Sequence, residues 1–139
     1  MTFPALVVDA SAALCLLLLE RQGNEVEELI RETVERNGQI FVPYLFWDEL
    51  YNGLLSATRR GRISKSGALE SGRHFARLPF VSHDDTQLDV RERTLEIAAE
   101  HRLSYYDARY LELALRYGLR LKTFDDDLLR LRSTYRIIN

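Results

Sequence analysis

The chain is poor in the residues on which several kinds of chemistry depend: one cysteine, one tryptophan, three prolines and three histidines among 139 positions. A single thiol, Cys15, forms no internal disulfide and excludes a multi-cysteine zinc site. Its setting, Leu14-Cys15-Leu16-Leu17, reads as that of a small buried apolar side chain. The longest apolar run after the first strand, Ala12 to Leu19, falls far short of the ~20 residues a membrane span requires, so no membrane association is expected. Met1-Thr2-Phe3-Pro4-Ala5 lacks a basic start, so the apolar stretch beyond it does not read as an export signal, and a cytoplasmic setting is the expectation. No serine–histidine–aspartate arrangement is apparent. His74, His83 and His101 read as surface residues.

What remains is the composition of a globular protein, 46% hydrophobic and 29% charged, long enough for one domain over residues 1–139 and too short for two ordinary ones. The net charge of −2 makes the whole molecule no electrostatic trap for nucleic acid. Charge is nevertheless uneven. Residues 57–77 hold Arg59, Arg60, Arg62, Lys65, Arg73 and Arg77 against Glu70 alone, whereas Asp84 to Glu100 is mostly acidic. The basic stretch reads first as a solvated face, with contact to phosphate as the alternative.

Hydrophobic periodicity predicts strands at Ala5–Val8, Gln39–Val42, Phe80–Ser82, Leu119–Thr123 and Tyr135–Ile138. Helices are expected over Ala12–Glu20 with Ser11 as N-cap, Glu25–Glu35, Pro43–Arg60, Lys65–Arg77, Thr86–Arg102, Tyr105–Tyr117 and Asp126–Arg132. Asn37-Gly38 and Gly118 are natural helix stops. Strands alternating with helices indicate an α/β fold, with a central parallel sheet of four to five strands and helices on both faces.

In such sheets ligands gather beyond the carboxyl ends of the strands. Asp9 follows the first strand, Asp125 comes two residues after the strand ending near Thr123, Asp107 opens the helix leading into that strand, and Glu49 lies in the helix after the second. Each acid also has a plain structural reading. Asp9 could accept backbone N–H groups at a helix entry, Ser104-x-x-Asp107 could be a capping box, and Asp125-Asp126-Asp127 could cap a helix. Glu49 is harder to explain that way. Helical phase sets it at the border of an apolar row formed by Phe46, Leu50, Gly53 and Ala57, where an unpartnered carboxylate is costly.

As an ordered set, these segments resemble a known family. Leu6-Val7-Val8-Asp9-Ala10-Ser11-Ala12 looks like the opening strand of PIN-domain nucleases. Val42-Pro43 followed by the helical Glu49-x-x-Asn52 resembles their second motif, and Ser104-Tyr105-Tyr106-Asp107-Ala108 their third. Lys122-Thr123-Phe124-Asp125-Asp126-Asp127 is similar to the fourth, a Thr-x-Asp turn at a strand end. Asp48 competes for the second position, but the Glu-x-x-Asn phase favours Glu49. Size and motif spacing are most similar to the VapC toxins of bacterial and archaeal toxin–antitoxin pairs.

The resemblance implies a PIN-like fold and a metal-dependent endoribonuclease with Asp9, Glu49, Asp107 and Asp125 as its catalytic acids. Hydrolysis of a phosphodiester needs an activated water and relief of charge on phosphorus, and clustered carboxylates suit Mg²⁺ or Mn²⁺. Asp9, Asp107 and Asp125 are assigned to the metal; Glu49 could complete the site, bind a second ion or orient water. Ser11, Asn52, Thr123 and Asp127 are supporting candidates, Asn52 as a brace for Glu49. An RNA substrate, a small antitoxin protein and a homodimer follow as expectations, and Trp47 and Tyr51 could face a partner or the core. Two other readings compete. A phosphoacceptor receiver domain would need a lysine to match Asp84-Asp85, and a PIN-like module could bind RNA or protein without cutting.

Overall fold

The computed structural model describes residues 4–139; Met1–Phe3, part of the segment read for an export signal, lies outside the described residues. Strand β1 (Ala5–Val8) is the keystone. Leu6, Val7 and Val8 are all buried, so both faces of this strand are covered, as its unbroken apolar run requires. It pairs in parallel with β2 (Gln39–Pro43) on one side and β4 (Arg120–Lys122) on the other, and β2 pairs in parallel with β3 (Phe80–His83). The order is therefore β3-β2-β1-β4. The chain reverses its direction of growth across the sheet between β1 and β4, which opens a crevice at their carboxyl ends.

Helices α1 (Ala10–Leu17), α2 (Gly23–Glu35), α3 (Leu45–Arg59), α4 (Lys65–Ala76), α5 (Leu88–His101), α6 (Tyr105–Tyr117) and α7 (Asp126–Leu129) flank the sheet. α6 lies against β1, β2 and β4, while α2 lies against β1 and β2. The core runs through Val8, Ile40, Phe46, Leu50, Leu111, Leu113 and Leu121. The α1–α2 turn is tight because Gly23 has no side chain: a Cβ there would stand 2.5 Å from the Cys15 carbonyl oxygen. None of the helices among the described residues is long and apolar enough to cross a membrane.

Three expectations need correction. The N-cap of α1 is Asp9 rather than Ser11, because the Asp9 carboxylate accepts the Ala12 N–H and the helix begins at once at Ala10. The last helix stops at Leu129, and turns follow it, with Thr134 and Tyr135 N–H groups returning to the Leu131 carbonyl. Those turns consume the segment expected as a fifth strand. Of Tyr135–Ile138 only a single bridge survives, Leu121 with Ile138.

Candidate active site

The acids sit where the sheet reverses. Asp9 leaves β1 fully enclosed: Oδ1 accepts from the Ser11 hydroxyl at 2.6 Å and from the Ala12 N–H at 3.0 Å, while Oδ2 accepts from the Thr123 hydroxyl. Thr123 is itself completely buried, and its oxygen accepts the Asp125 N–H at 2.9 Å. Ser11 accepts the Phe124 N–H at 2.9 Å. The two hydroxyls thus clamp the end of β1 to the turn after β4. Burial pushes the Asp9 carboxyl up to about 6; the bonds from Ser11, Thr123 and Ala12 oppose that rise, and the nearby Asp125 adds to it.

Asp125 caps α7 through the Leu128 N–H at 3.1 Å, and Asp107 occupies the first turn of α6, its N–H donating to Ser104 Oγ at 3.0 Å. Asp125 thus caps a helix with one carboxylate oxygen, whereas Asp107 forms only the half of the capping box that uses its backbone N–H. One carboxylate oxygen from each of Asp107, Asp125 and Asp127 falls within 4.8 Å of the other two. Burial raises the Asp107 pKa, with Asp125 and then Asp127 adding to it against the bond from Ser104. Asp127, treated in the sequence as a supporting residue, contributes an oxygen to this group of three, whereas Asp9 does not, although Asp125 helps to raise its pKa.

Glu49 enters from α3, half-buried, and Asp48 points to solvent. Its Oε1 accepts the Tyr110 hydroxyl at 2.6 Å. Burial raises its pKa against this bond, and Asp107 and Asp125 raise it further, while Arg109 draws it down. The brace on Glu49 is thus Tyr110 from α6, fully buried, and not Asn52, which is exposed and makes no bond to Glu49 among the described residues. Tyr110 was missed because a buried aromatic on a helix reads as core. Its position three residues after Asp107, on the same face, was the available signal.

The remaining candidates lie elsewhere. Trp47 is partly buried against the core, edge-on to Phe46 and Phe80 with Nε1 donating to Ser82 Oγ at 3.0 Å, while Tyr51 is 45% exposed. His74 is exposed as expected. His83 is half-buried between Phe41 and Tyr117, and His101 bonds Tyr135 Oη at 2.8 Å in a largely covered position, because aromatic neighbours enclose both rings. Asp85 is buried as well, held by Arg109 and Arg116, which accounts for it without any phosphoacceptor role.

Among the described residues, no lysine or arginine pairs with Asp9, Glu49, Asp107 or Asp125, and Asp127 has only Arg130 at 3.8 Å. An all-oxygen donor set without its own cation suits a hard divalent ion.

Known proteins resemble this chain in sequence and fold. The model of the PIN domain matches residues 6–133. Ribonuclease VapC9 of Mycobacterium tuberculosis is 35% identical over 134 residues, a match covering 93% of this chain and 90% of that protein. Ribonuclease VapC3 of Pyrobaculum aerophilum is 29% identical over 127 residues, covering 88% and 91% respectively. The crystal structure of PAE2754 from Pyrobaculum aerophilum superposes with a TM-score of 0.68 at 27% identity, over 94% of this chain and 86% of that one.

Proposed function

The chain belongs to the PIN domain family, and on that premise we propose that it is a metal-dependent endoribonuclease, the toxin of a toxin–antitoxin pair, working as one domain. The observation that carries this reading is the grouping of Asp107, Asp125 and Asp127 oxygens within 4.8 Å, with no basic partner among the described residues beyond the loose Arg130–Asp127 pair at 3.8 Å. Structural acids are normally neutralised by the protein itself; these are left for an outside cation.

Asp107, Asp125 and Asp127 would hold Mg²⁺ or Mn²⁺, with Asp9 fixed behind them by Ser11 and Thr123. A bound divalent ion supplies water activation and relief of charge at the phosphorus. Asp9 has little freedom to move, since both of its oxygens are already engaged, so its role is to fix the Asp125 turn and orient water. Glu49, whose pKa burial and the neighbouring Asp107 and Asp125 raise, would take a proton from the attacking water. Tyr110 aims that carboxylate. The RNA substrate follows from the relatives' names as ribonucleases, and a small antitoxin partner and a cytoplasmic homodimer, carried over from the resemblance to VapC toxins, complete the proposal.

The test is incubation of purified protein with total cellular RNA in Mg²⁺, in Mn²⁺ and in EDTA, beside Asp9→Asn and Asp107→Asn. Metal-dependent cleavage lost in both variants supports the reading. RNA bound but left uncut would sink it in favour of a silent binding module.

A further inference from the structure

A cavity of about 260 Å³ lies between α1 and the second half of α3 and reaches the site through Ser11, which bonds Asp9. Its inner end is Ser11, the residue whose hydroxyl donates to Asp9 at 2.6 Å. Its floor is apolar, built from Leu14, Leu18 and Ala57. That floor exists because α1 and α3 approach closely at Gly53, where a Cβ would stand 2.3 Å from Leu14 Cδ1. The outer end is basic. Arg62 is held by Glu20 at 2.8 Å, while Arg60 is exposed and has no acidic partner among the described residues.

The lining therefore changes character in one direction, from the clamp of the acidic cluster, through a flat apolar wall, to a free guanidinium. A single-stranded polynucleotide has the same sequence of demands beside a cleaved bond: a heterocycle to shelter from water and, one step on, a phosphate to neutralise. The two other groups at this end do not oppose this: Glu20 is engaged by Arg62, and the Cys15 thiol, pushed up to about 12 by burial, stays neutral and donates to Glu20 Oε2 at 3.2 Å. The basic stretch that begins at Arg59 thus has one member placed to meet substrate.

We propose that this cavity is a nucleotide subsite, taking the base of one unpaired nucleotide next to the scissile phosphodiester against Leu14, Leu18 and Ala57, with the adjoining phosphate on Arg60. The proposal rests on the nuclease reading of the neighbouring acids. It favours an unpaired nucleotide at this point, since a paired base would first have to be unstacked and flipped out.

The probe is a fluorescent, mixed-sequence 2′-O-methyl RNA hexamer, titrated into the full-length protein in Mg²⁺ at several salt concentrations. Arg60→Ala and Ser56→Phe, the latter filling the cavity from a partly exposed position, are compared with wild type after circular dichroism confirms their fold. Both variants are expected to weaken binding about tenfold. Only Arg60→Ala should flatten the slope of log affinity against log salt, by ~0.7. Methyl resonances of Leu14 and Leu18 should move when the hexamer is added to wild type. Wild-type affinity in both variants, unmoved methyl resonances, or no hexamer binding by wild type overturns the subsite. Failure of the nuclease reading is seen separately, as total RNA left intact in Mg²⁺ and Mn²⁺, because hexamer binding is read without any cleavage.

Discussion

Helix α6 separates two acid-rich regions that the protein treats in opposite ways. On one side Asp107 and Tyr110 face Asp9, Glu49, Asp125 and Asp127, a set of carboxylates with no close cation except Arg130. On the other, Arg109, Glu112 and Arg116 build an ion network. Asp85 accepts from Arg109 Nη2 at 2.6 Å and from Arg116 Nη2 at 3.1 Å, and Glu112 pairs with Arg116 at 3.1 Å and Arg93 at 3.3 Å. Asp85 and Glu112 are as buried as Asp9, yet each has guanidinium partners of its own. Buried acids that the fold needs are paired within it; buried acids that await a ligand are not.

The comparison breaks most readily at the unpaired side. Asp107→Asn should cost on the order of a thousandfold in metal-dependent RNA cleavage while leaving the melting temperature unchanged or higher, measured by gel assay and calorimetry. At the paired side, Asp85→Ala should do the reverse. It leaves Arg109 and Arg116 without their shared partner and should destabilise the fold by about 3–5 kcal/mol in urea denaturation. Loss of cleavage at temperatures where that variant remains folded would contradict the division.

Acid titration separates the two regions next. Asp9 is raised from 3.8 to about 6 on folding, so the folded state holds its proton more tightly than the unfolded chain does. The stabilisation this provides is complete below pH 3.8 and is lost as pH rises through 6, about 3 kcal/mol in all for the metal-free protein. Asp9→Asn should remove that part of the pH dependence, and added Mg²⁺ or Mn²⁺ should raise the melting temperature at pH 7 but not at pH 4. A smaller effect is expected from Tyr110→Phe. The lost hydroxyl bond lets the Glu49 pKa rise further, so the acid limb of the pH–rate profile should move upward, with a loss of rate that grows as the pH falls. Asn52→Ala, at an exposed position, should change stability by less than about 0.5 kcal/mol and the pH profile not at all.

Local pattern carried some of these residues further than others. Asp9 was legible because a buried strand ends there, and Glu49 was separated from Asp48 by helical phase, which the structure repeats by aiming one inward and the other at solvent. Asn52 stands one turn from Glu49 and so looked like its brace, but one turn along a helix does not fix which way a side chain leans. Tyr110 could not be told from a core aromatic. Asp85 meets Arg109 and Arg116 across 24 and 31 residues, a pairing that depends on how α5 and α6 pack and leaves no local trace. The final strand failed for a similar reason: Tyr135–Ile138 has strand-like residues, but turns anchored on Leu131 use up its length.

The hydroxyl bond between Thr123 and Asp9 joins positions 114 residues apart and ties the first strand to the last. Three of the site's acids or their anchors, Thr123, Asp125 and Asp127, arrive only with that final portion of the chain. A growing polypeptide can pair β1 with β2 and β2 with β3 long before β4 exists, so most of the sheet can form while the acidic cluster is still in pieces. Chemical competence is thus the last thing synthesis delivers, and a chain cut short before Thr123 is a folded scaffold at most, with no means of harming the RNA around it.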